Sequence, residues 1–286
     1  MNSVTHLRPC VLPQWRAVFL LGIGALAAVA ALGAPADAIK IGGTGTGLGT
    51  MKLMAQEFNK SRPNAQLMVT PSLGSTGAIK AVLAGAIDIG ISARAVSAPE
   101  QGQGASARAY AKTPMVIATG SKTQTHAVGL TLPQLATIYS GKTPRWPDGS
   151  PIRLVMRPDA DADTVALRAF SAVMNSAISV ALARPGLRMA DTDQDNADAL
   201  EQLPGSLGTS TLTQILTEGR TLKALDLDGV TPTLQALAAG RYPYFKTLYL
   251  VTGRSPSPLA KDFVAFVHSP AGRAVLARSG NLALQE

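Results

Sequence analysis

Short apolar runs alternate with helical patterns along most of this chain, and that alternation limits the possible folds more than any other feature. Residues 39–42, 65–70 and 87–91 are predicted strands, and helical patterns follow the first two at residues 50–59 and 78–84. Strands that alternate with helices are typical of sheets covered by helices. With 286 residues, 46% of them hydrophobic, the chain can bury a sizeable core. We therefore predict an α/β fold, built as one large domain or as two smaller lobes.

The second half of the chain continues the same pattern. Further strands are predicted at residues 114–119, 152–156, 206–209, 222–227 and 247–252. Further helices are predicted at residues 132–139, 164–174, 259–268 and 271–279.

The first 38 residues predict a cleavable export signal. Residues 17–34 contain no charged residue, they follow Arg8 and Arg16, and small residues at their exit favour cleavage after Ala38. An uncleaved membrane anchor is the alternative, and the small-residue exit argues against it. We therefore expect a soluble mature chain in the periplasm.

Charge and reactive side chains exclude several classes of protein. The formal net charge of +8 favours acidic partners, but there is no lysine or arginine run and no aromatic platform, so we expect no nucleic-acid partner. The only cysteine, Cys10, would leave with the signal, and the mature chain would keep only His126 and His268 as histidines. A zinc site or a catalytic triad has almost nothing to be built from. We expect no enzyme, no metal and no cofactor, and either a small anionic ligand or a plain solvated basic face.

Two loops rich in glycine, serine and threonine stand between a predicted strand and a predicted helix. The first is Gly-Thr-Gly-Thr-Gly at residues 43–47, and the second is Gly-Ser-Thr-Gly at residues 74–77. Each places backbone N–H groups and hydroxyls at a helix N-terminus, where an anion is favoured. Ordinary helix capping is the alternative for either loop alone, and a nucleotide loop is disfavoured because no Gly-Lys-Ser or Gly-Lys-Thr follows. Together the two loops predict a cup for a small anion.

A third loop, Arg-Pro-Asp-Ala-Asp-Ala-Asp-Thr from Arg157, supplies charge between a strand and a helix. An arginine at a strand end can bind an oxyanion through two parallel hydrogen bonds. Asp161 or Asp163 at the helix start would cap the N–H groups that an anion would use, and capping is the expected role of at least one of them. The loop also mimics the start of a calcium loop, but Thr164 and Phe170 stand where that loop has glycine and glutamate.

Six segments along the predicted mature chain carry a family resemblance. They are GGTGTGLG at residues 42–49, PSLGSTGAIKAVLAGAIDIGISAR at 71–94, YSGKTPRW at 139–146, RPDADADT at 157–164, GRYPYFKTLYLVTG at 240–253 and AKDFVAFVHSPAGRAVLARSG at 260–280. Together with the predicted export signal, these segments resemble the phosphate-binding periplasmic proteins of ABC transporters, which have the type II solute-binding fold. The resemblance covers essentially the whole mature chain in order.

The resemblance implies two α/β lobes that are joined by two crossing strands and close on the ligand by a hinge motion. Residues 1–38 would be the signal peptide. The first lobe would comprise residues 39–111 and 249–286, and the second lobe residues 112–248.

The resemblance also implies which residues hold the ligand. The family binds phosphate with its first glycine-rich loop, with a Gly-Ser-Ser/Thr-Gly loop, with an aspartate after the next strand and with an Arg-x-Asp-x-Ser-Gly-Thr segment. At the matching positions this chain has Thr46 and Gly47, then Ser75 with Thr76 beside it, and Arg157.

Two departures from the family pattern affect the expected ligand. The family aspartate that accepts the proton of hydrogen phosphate falls on Ala93, next to Arg94, and the Ser-Gly-Thr positions hold Asp161 and Asp163. A buried acceptor for that proton separates hydrogen phosphate from sulfate, because an unpaired buried group costs several kcal/mol. Asp161 or Asp163 is one candidate for the missing acceptor. Alternatively, two carboxylates against Arg94 and Arg157 suit a ligand that bears both signs or several hydrogen-bond donors.

We therefore predict a periplasmic solute-binding protein that captures a small anion, phosphate first among the candidates, and delivers it to an ABC permease in the inner membrane. We expect a monomer. A sensory protein that presents another oxyanion or a small zwitterionic solute to a membrane receptor is the alternative on the same fold. A secreted hydrolase is disfavoured because no nucleophile and base are available.

Overall fold

The computed structural model describes residues 38–121, 123 and 129–284. The predicted export signal lies outside these residues except for Ala38, and His126 lies outside them as well. Within the described residues, no helix is both long enough and apolar enough to cross a membrane.

Strands and helices alternate along the described chain. The strands are β1 Ala38–Gly43, β2 Gln66–Ser72, β3 Ile89–Ser92, β4 Ser106–Gly120, β5 Gly129–Leu130, β6 Arg153–Met156, β7 Arg188–Met189, β8 Ser206–Thr211, β9 Leu222–Leu227, β10 Phe245–Thr252 and β11 Leu282–Ala283. The helices are α1 Gly45–Asn59, α2 Gly74–Leu83, α3 Ala98–Gln103, α4 Leu132–Tyr139, α5 Ala162–Arg168, α6 Ala172–Ala183, α7 Asp193–Gln202, α8 Leu212–Glu218, α9 Leu234–Ala238, α10 Pro258–His268 and α11 Pro270–Arg278.

The strands are hydrogen-bonded in the order β2-β1-β3-β10-β4-β8-β6-β7. At one end β1 runs parallel to both β2 and β3, and at the other end β6 runs parallel to both β8 and β7. Between these two groups, β10 is antiparallel to β3 and β4, and β4 is antiparallel to β8. Two parallel groups therefore flank a central antiparallel pair.

The central pair passes through two separate hydrophobic cores. β4 contributes Tyr110 and Ala111 to the first core and Met115 and Ile117 to the second. β10 pairs with β4 along its whole length, from Phe245 opposite Pro114 to Thr252 opposite Ser106. These two strands are the connections between two packed halves, which we call the first and second lobes.

Each lobe has its own set of buried apolar side chains. The first core joins β1, β3, α1, α10 and α11, with Ile41, Met51, Met54, Ile89, Ile91 and Phe263 among its members. The second core joins α4, α5, α6, β6 and β8, with Leu135, Tyr139, Leu154, Met174, Ile178 and Leu207 among its members. In both lobes, helices pack on the sheet through periodic apolar side chains, as the α/β prediction requires.

Most predicted elements are confirmed, and three boundaries are corrected. α2 begins at Gly74 instead of residue 78, so the predicted second loop at residues 74–77 is helical. α1 begins at Gly45 instead of residue 50, so most of the predicted glycine-rich loop is helical. The helix predicted at residues 164–174 is two helices, α5 and α6, because the side chain of Ser171 accepts a hydrogen bond from Met174 N–H and starts α6.

Other parts of the chain hold structure that was not predicted. The strand expected at residues 114–119 is the last part of the 15-residue β4. The helices α3, α7, α8 and α9 and the two-residue strands β5, β7 and β11 were also missed. These helices are short, and a short helix shows little periodicity in its apolar residues.

Candidate anion site

The first turn of α1 leaves hydroxyl and backbone donors without partners in the helix. Gly43 has a φ of +153° and lies so close to β3 that a Cβ would stand 2.6 Å from Ile91 N. Thr44 is the N-cap of α1, but its side chain makes no capping hydrogen bond. Thr44 and Thr46 are both buried, so water does not satisfy their hydroxyls.

The carboxylate of Asp193, the first residue of α7, receives these donors. Thr44 Oγ1 donates to Asp193 Oδ2 over 3.0 Å, and the Thr46 N–H donates to the same oxygen over 3.1 Å. Thr46 Oγ1 donates to Asp193 Oδ1 over 3.3 Å. Asp193 is only 5% exposed. The N-terminus of α1 therefore holds an oxyanion, and the protein itself supplies it. We call the donors of Thr44 and Thr46 the anion cup.

Two glycines on one face of α1 let α7 and α8, which pack on β8 in the second lobe, come this close. A Cβ on Gly45 would stand 2.7 Å from the Cβ of Asp193, and a Cβ on Gly49 would stand 2.6 Å from the Cβ of Thr217. Side chains at these two positions would push the second lobe away from the anion cup. This close approach explains glycines inside a helix, where they are otherwise unfavourable.

Lys246 of β10 brings a buried positive charge to the anion cup. Its Nζ donates to Thr46 Oγ1 over 3.5 Å and forms an ion pair with Asp163. Asp163 Oδ2 also accepts a hydrogen bond of 2.9 Å from Thr209 Oγ1. Burial lowers the pKa of Lys246 to about 7, and the nearby charge of Arg157 acts in the same direction.

Arg157, at the end of β6, binds a carboxylate of its own loop. Its Nε donates to Asp161 Oδ1 over 3.2 Å and its Nη2 to Asp161 Oδ2 over 2.8 Å, which is a bidentate pair. Its Nη1 donates to the carbonyl of Ala190 over 2.8 Å. Asp161 is also the N-cap of α5 and accepts the N–H of Asp163 over 2.9 Å. The arginine and the first aspartate of this loop therefore position each other.

Among the described residues, the charges around the anion cup are unequal in number. Three carboxylates, Asp161, Asp163 and Asp193, stand with two cations, Arg157 and Lys246. Burial raises the pKa of Asp193, with Arg157 opposing that effect and Asp161 adding to it. A further anion can be accommodated only if one carboxylate leaves or is neutralised.

The second glycine-rich loop, which opens α2, has a different environment. Ser75 is buried, and its Oγ accepts the backbone N–H of Ala93 over 2.9 Å. Thr76 Oγ1 accepts a hydrogen bond of 3.2 Å from Arg94 Nη2. The Arg94 guanidinium also makes a bidentate pair with Glu100 of α3, with distances of 2.7 and 2.9 Å. Its charge is therefore neutralised by a carboxylate on its own side of the molecule.

The pKa of Glu100 is lowered to about 2, mainly by the hydrogen bond from Arg94. Glu100 also accepts hydrogen bonds from Ser97. Glu100 stays ionised at neutral pH and remains a partner for Arg94. We call Ser75, Thr76, Arg94 and Glu100 the second cluster.

The model of the PBP superfamily domain matches residues 28–271. The chain belongs to the PBP superfamily. Among curated relatives it is similar to the phosphate-binding protein PstS of Bacillus subtilis, with 25% identity over 227 residues, 75% of this chain and 70% of that protein. It is also similar to the phosphate-binding protein PstS 2 of Streptococcus pneumoniae, with 32% identity over 83 residues, 29% of this chain and only 25% of that protein's length.

Several solved structures share this fold. A Clostridium perfringens protein described as a phosphate ABC transporter substrate-binding protein, solved with bound phosphate, matches with a TM-score of 0.74 at 19% identity over 87% of this chain and all of that one. An ABC-type phosphate transport receptor of Vibrio cholerae matches with a TM-score of 0.60 at 18% identity, covering 85% of this chain and 99% of that one. The periplasmic molybdate-binding protein of Azotobacter vinelandii also matches, with a TM-score of 0.60 at 15% identity over 86% of this chain and all of that one. The predicted two-lobed α/β fold is confirmed.

In this PBP-superfamily chain, the eight predicted site residues fall into two groups. Five belong to the region of the anion cup. Thr46 and Gly47 lie in the first turn of α1, Asp163 reaches Thr46 through Lys246, and Arg157 and Asp161 act on the charge of Asp193. Three belong to the second cluster: Ser75, Thr76 and Arg94. The N–H of Gly47 donates to the carbonyl of Thr44 over 3.1 Å, so it is used inside the turn.

The sequence analysis missed Asp193 and Lys246. Thr44 lies in the predicted anion loop at residues 43–47, although it was not selected as a ligand residue. Lys246 lies inside a segment that carried the family resemblance, but a lone lysine in an apolar strand gave no reason to select it. Asp193 had a usable signal, since Thr192 and Asp195 have the spacing of a helix start. Thr192 Oγ1 accepts the N–H of Asp195 over 3.0 Å and begins α7.

The aspartates of the third loop bind cationic side chains. Asp159 pairs with Arg168, Asp161 with Arg157, and Asp163 with Lys246. In the part of the chain that the structure describes, no three His, Cys, Asp or Glu side chains are grouped so that they could hold a metal ion.

Proposed function

We propose that this protein is a periplasmic solute-binding protein of an ABC importer and that its ligand is phosphate. Membership of the PBP superfamily and similarity to proteins named as phosphate-binding support the proposal. The structural likeness to a protein solved with bound phosphate supports it as well. A molybdate-binding protein shares the same fold, so the fold alone does not identify which oxyanion is bound. The identity of the ligand must be inferred from the residues of the site.

The observation that carries the proposal is the set of three hydrogen bonds from Thr44 and Thr46 to the Asp193 carboxylate. Two hydroxyls and one N–H at a helix N-terminus converge on two oxygen atoms that share a negative charge. A phosphate presents oxygens of the same kind and accepts the same donors. Lys246, 3.5 Å from Thr46 Oγ1, adds a positive charge beside them.

Asp163 is the acceptor that we propose for the proton of hydrogen phosphate. The oxygens of both aspartates already have partners, Arg157 for Asp161 and Lys246 with Thr209 for Asp163, so the position relative to the anion cup decides between them. Asp163 is 3% exposed and contacts Lys246, which in turn contacts Thr46 of the anion cup. Sulfate has no proton to offer Asp163 at neutral pH, so it should be rejected.

The lobe boundaries and the cell location belong to the same proposal. Residues 39–111 and 249–286 form the first lobe, residues 112–248 form the second, and β4 and β10 act as the hinge. The chain is exported through its first 38 residues, acts as a monomer without a cofactor, binds its ligand without chemical change and passes it to a permease in the inner membrane. Sensing is the second candidate, and no contact in the site favours it.

Calorimetric titration of ligand-stripped protein tests the proposal. We expect saturable binding of phosphate at pH 7 and no binding of sulfate, with molybdate and an amino-acid mixture as comparators. Binding of molybdate or of an amino acid in place of phosphate would reassign the ligand. Loss of phosphate uptake in a deletion strain would support transport, whereas normal uptake with a lost phosphate response would support sensing.

A further inference from the structure

The Asp193 carboxylate uses the same donors that the proposed function gives to the ligand. Its two oxygens take the hydroxyls of Thr44 and Thr46 and the N–H of Thr46, at 3.0 to 3.3 Å. No part of this set is left for a second oxyanion, because each donor has one hydrogen. A ligand in the anion cup must therefore take the place of Asp193.

Asp193 is held in the anion cup by a fitted surface between the lobes. The glycine face of α1, formed by Gly45 and Gly49, lies directly against α7 and α8. Thr50 of α1 makes a hydrogen bond of 2.9 Å with Thr213 of α8, and Asn281 Nδ2 donates to both threonine hydroxyls at 3.0 and 2.8 Å. The two lobes therefore contact each other directly, and most polar groups along the contact are hydrogen-bonded. Asp193 is a charged residue of this contact.

Charge makes coexistence of Asp193 and a ligand unfavourable. The site already holds three carboxylates against Arg157 and Lys246. Phosphate would add one negative charge to a buried region as dihydrogen phosphate, or two as hydrogen phosphate, and like charges a few ångströms apart repel strongly where water is excluded. Exchange of one anion for the other keeps the charge balance nearly constant.

The structure provides space beside Asp193 for such an exchange. A cavity of about 770 Å³ is lined by Thr192 and Gln194, the two neighbours of Asp193 in the chain, and by Leu48, Gly49 and Lys52 on α1. Asp193 belongs to none of the buried hydrophobic clusters, so a shift of its side chain toward this cavity need not disrupt them.

We propose that Asp193 is an internal competitor of the ligand: its carboxylate closes the second lobe onto the anion cup, and the ligand binds by displacing it. The inference rests on the proposed function, since it names the group that the ligand displaces. Its consequence is that the apparent affinity is lowered by the fraction of molecules in which Asp193 occupies the anion cup. Asp193 thereby sets the ligand concentration at which the protein loads.

The test compares Asp193→Ala and Asp193→Asn with the control variant Asp195→Ala. Asp195 is exposed, lies in the same first turn of α7 and binds Thr192 only through its backbone N–H. The distance between spin labels on the two lobes is measured without added anion, and phosphate affinity is measured by calorimetry. Both Asp193 variants should open the lobes and bind phosphate about tenfold or more tightly, because the competing carboxylate is gone. Asp195→Ala should match the native protein in both measurements.

Each contrary result has a distinct meaning. Weaker phosphate binding by both Asp193 variants would overturn the inference and make Asp193 a direct ligand contact. An unchanged label distance and affinity would overturn it as well. Opening of the lobes in Asp193→Asn, with no phosphate binding by any variant including the native protein, would support closure by Asp193 and reject phosphate as the ligand. Near-ultraviolet circular dichroism identifies a variant that fails to fold, and Asp193→Asn, which keeps the side-chain shape, then decides.

Discussion

The two glycine-rich turns that open α1 and α2 have similar sequences and opposite surroundings. At the first turn, Thr44 and Thr46 are buried and bind a carboxylate from the other lobe. At the second turn, Ser75 binds backbone and Thr76 binds an arginine that is already paired. A helix N-terminus rich in glycine and hydroxyls thus indicates available donors, while the partner from elsewhere in the fold decides whether they form an anion site.

The two regions also differ in how their ion pairs are screened. The side chains of Asp163 and Lys246 are 4% and 2% exposed, whereas those of Glu100 and Arg94 are 18% and 36% exposed. An ion pair that water screens contributes little to the free energy of unfolding. Removing one partner of a buried pair leaves the other charge buried and unpaired, which is strongly destabilising. The predictions that follow use this contrast.

The largest effect should follow from removing one partner of the buried pair. Asp163→Ala leaves Lys246 without its carboxylate in a dry site, and we expect a loss of about 3 to 5 kcal/mol in the free energy of unfolding. Urea unfolding at pH 6, where Lys246 is protonated, measures the loss. The double variant Asp163→Leu with Lys246→Met should recover most of it, because no buried charge remains. A loss no larger than that of Glu100→Ala would show that the two regions do not differ as described.

A smaller effect should separate the two turns in ligand binding. Thr46→Val removes one hydroxyl of the anion cup and keeps the side-chain shape, while Thr76→Val makes the same change in the second cluster. Both are measured in the Asp193→Ala background, so that loss of the hydroxyl does not also weaken the competitor. A hydrogen bond to a charged group contributes about 1.5 to 3 kcal/mol, so Thr46→Val should weaken phosphate binding by roughly 10- to 150-fold. Thr76→Val should leave the affinity unchanged, and an equal loss in both variants would place the second cluster in the site.

The buried lysine predicts a pH dependence of stability. The pKa of Lys246 is lowered from 10.5 to about 7 by burial, so between these values the unfolded chain binds the proton and the folded chain does not. Stability should therefore rise with pH across this window, by at most about 1.4 kcal/mol for each pH unit. Lys246→Arg, which stays protonated, should lack this rise. Parallel stability curves for the two proteins from pH 7 to pH 10 would contradict a lowered pKa at Lys246.

The smallest effect is expected in the second cluster. Glu100→Gln removes a partly exposed ion pair with Arg94 and should cost less than about 1 kcal/mol in the free energy of unfolding. Because the pKa of Glu100 is lowered from 4.5 to about 2, the difference from the native protein should be present above pH 4.5 and vanish as the pH falls toward 2. Denaturant unfolding at a series of pH values measures it. A difference that stayed constant down to the lowest pH would exclude the ion pair as its source.

Much of the fold could be predicted because each lobe buries periodic apolar side chains. The strand at Leu222–Leu227 and the helix at Leu132–Tyr139 have the predicted bounds. Both carry the periodic pattern of apolar residues that burial of one face requires. The start of α1 could not be predicted in the same way. Gly45, Gly47 and Gly49 are poor helix formers, and their reason for being there is contact with other parts of the fold.

The site was predicted only as far as local sequence determines it. Arg157 and Asp161 lie in one loop and contact each other, so their association could be anticipated from spacing. Asp193 meets Thr44 and Thr46 across 147 or more positions of the chain, and no local pattern reports such a contact. Arg94 was placed in the pocket by its position beside Ala93, and the prediction did not include Glu100, which binds its guanidinium.

The most direct test of the account is a crystal structure with arsenate, which has the shape and protonation of phosphate and scatters anomalously. We predict a single anomalous peak within hydrogen-bond distance of Thr44 and Thr46, with the Asp193 carboxylate turned away from them. A peak beside Ser75 and Arg94, with Asp193 still bound to Thr44 and Thr46, would contradict the account.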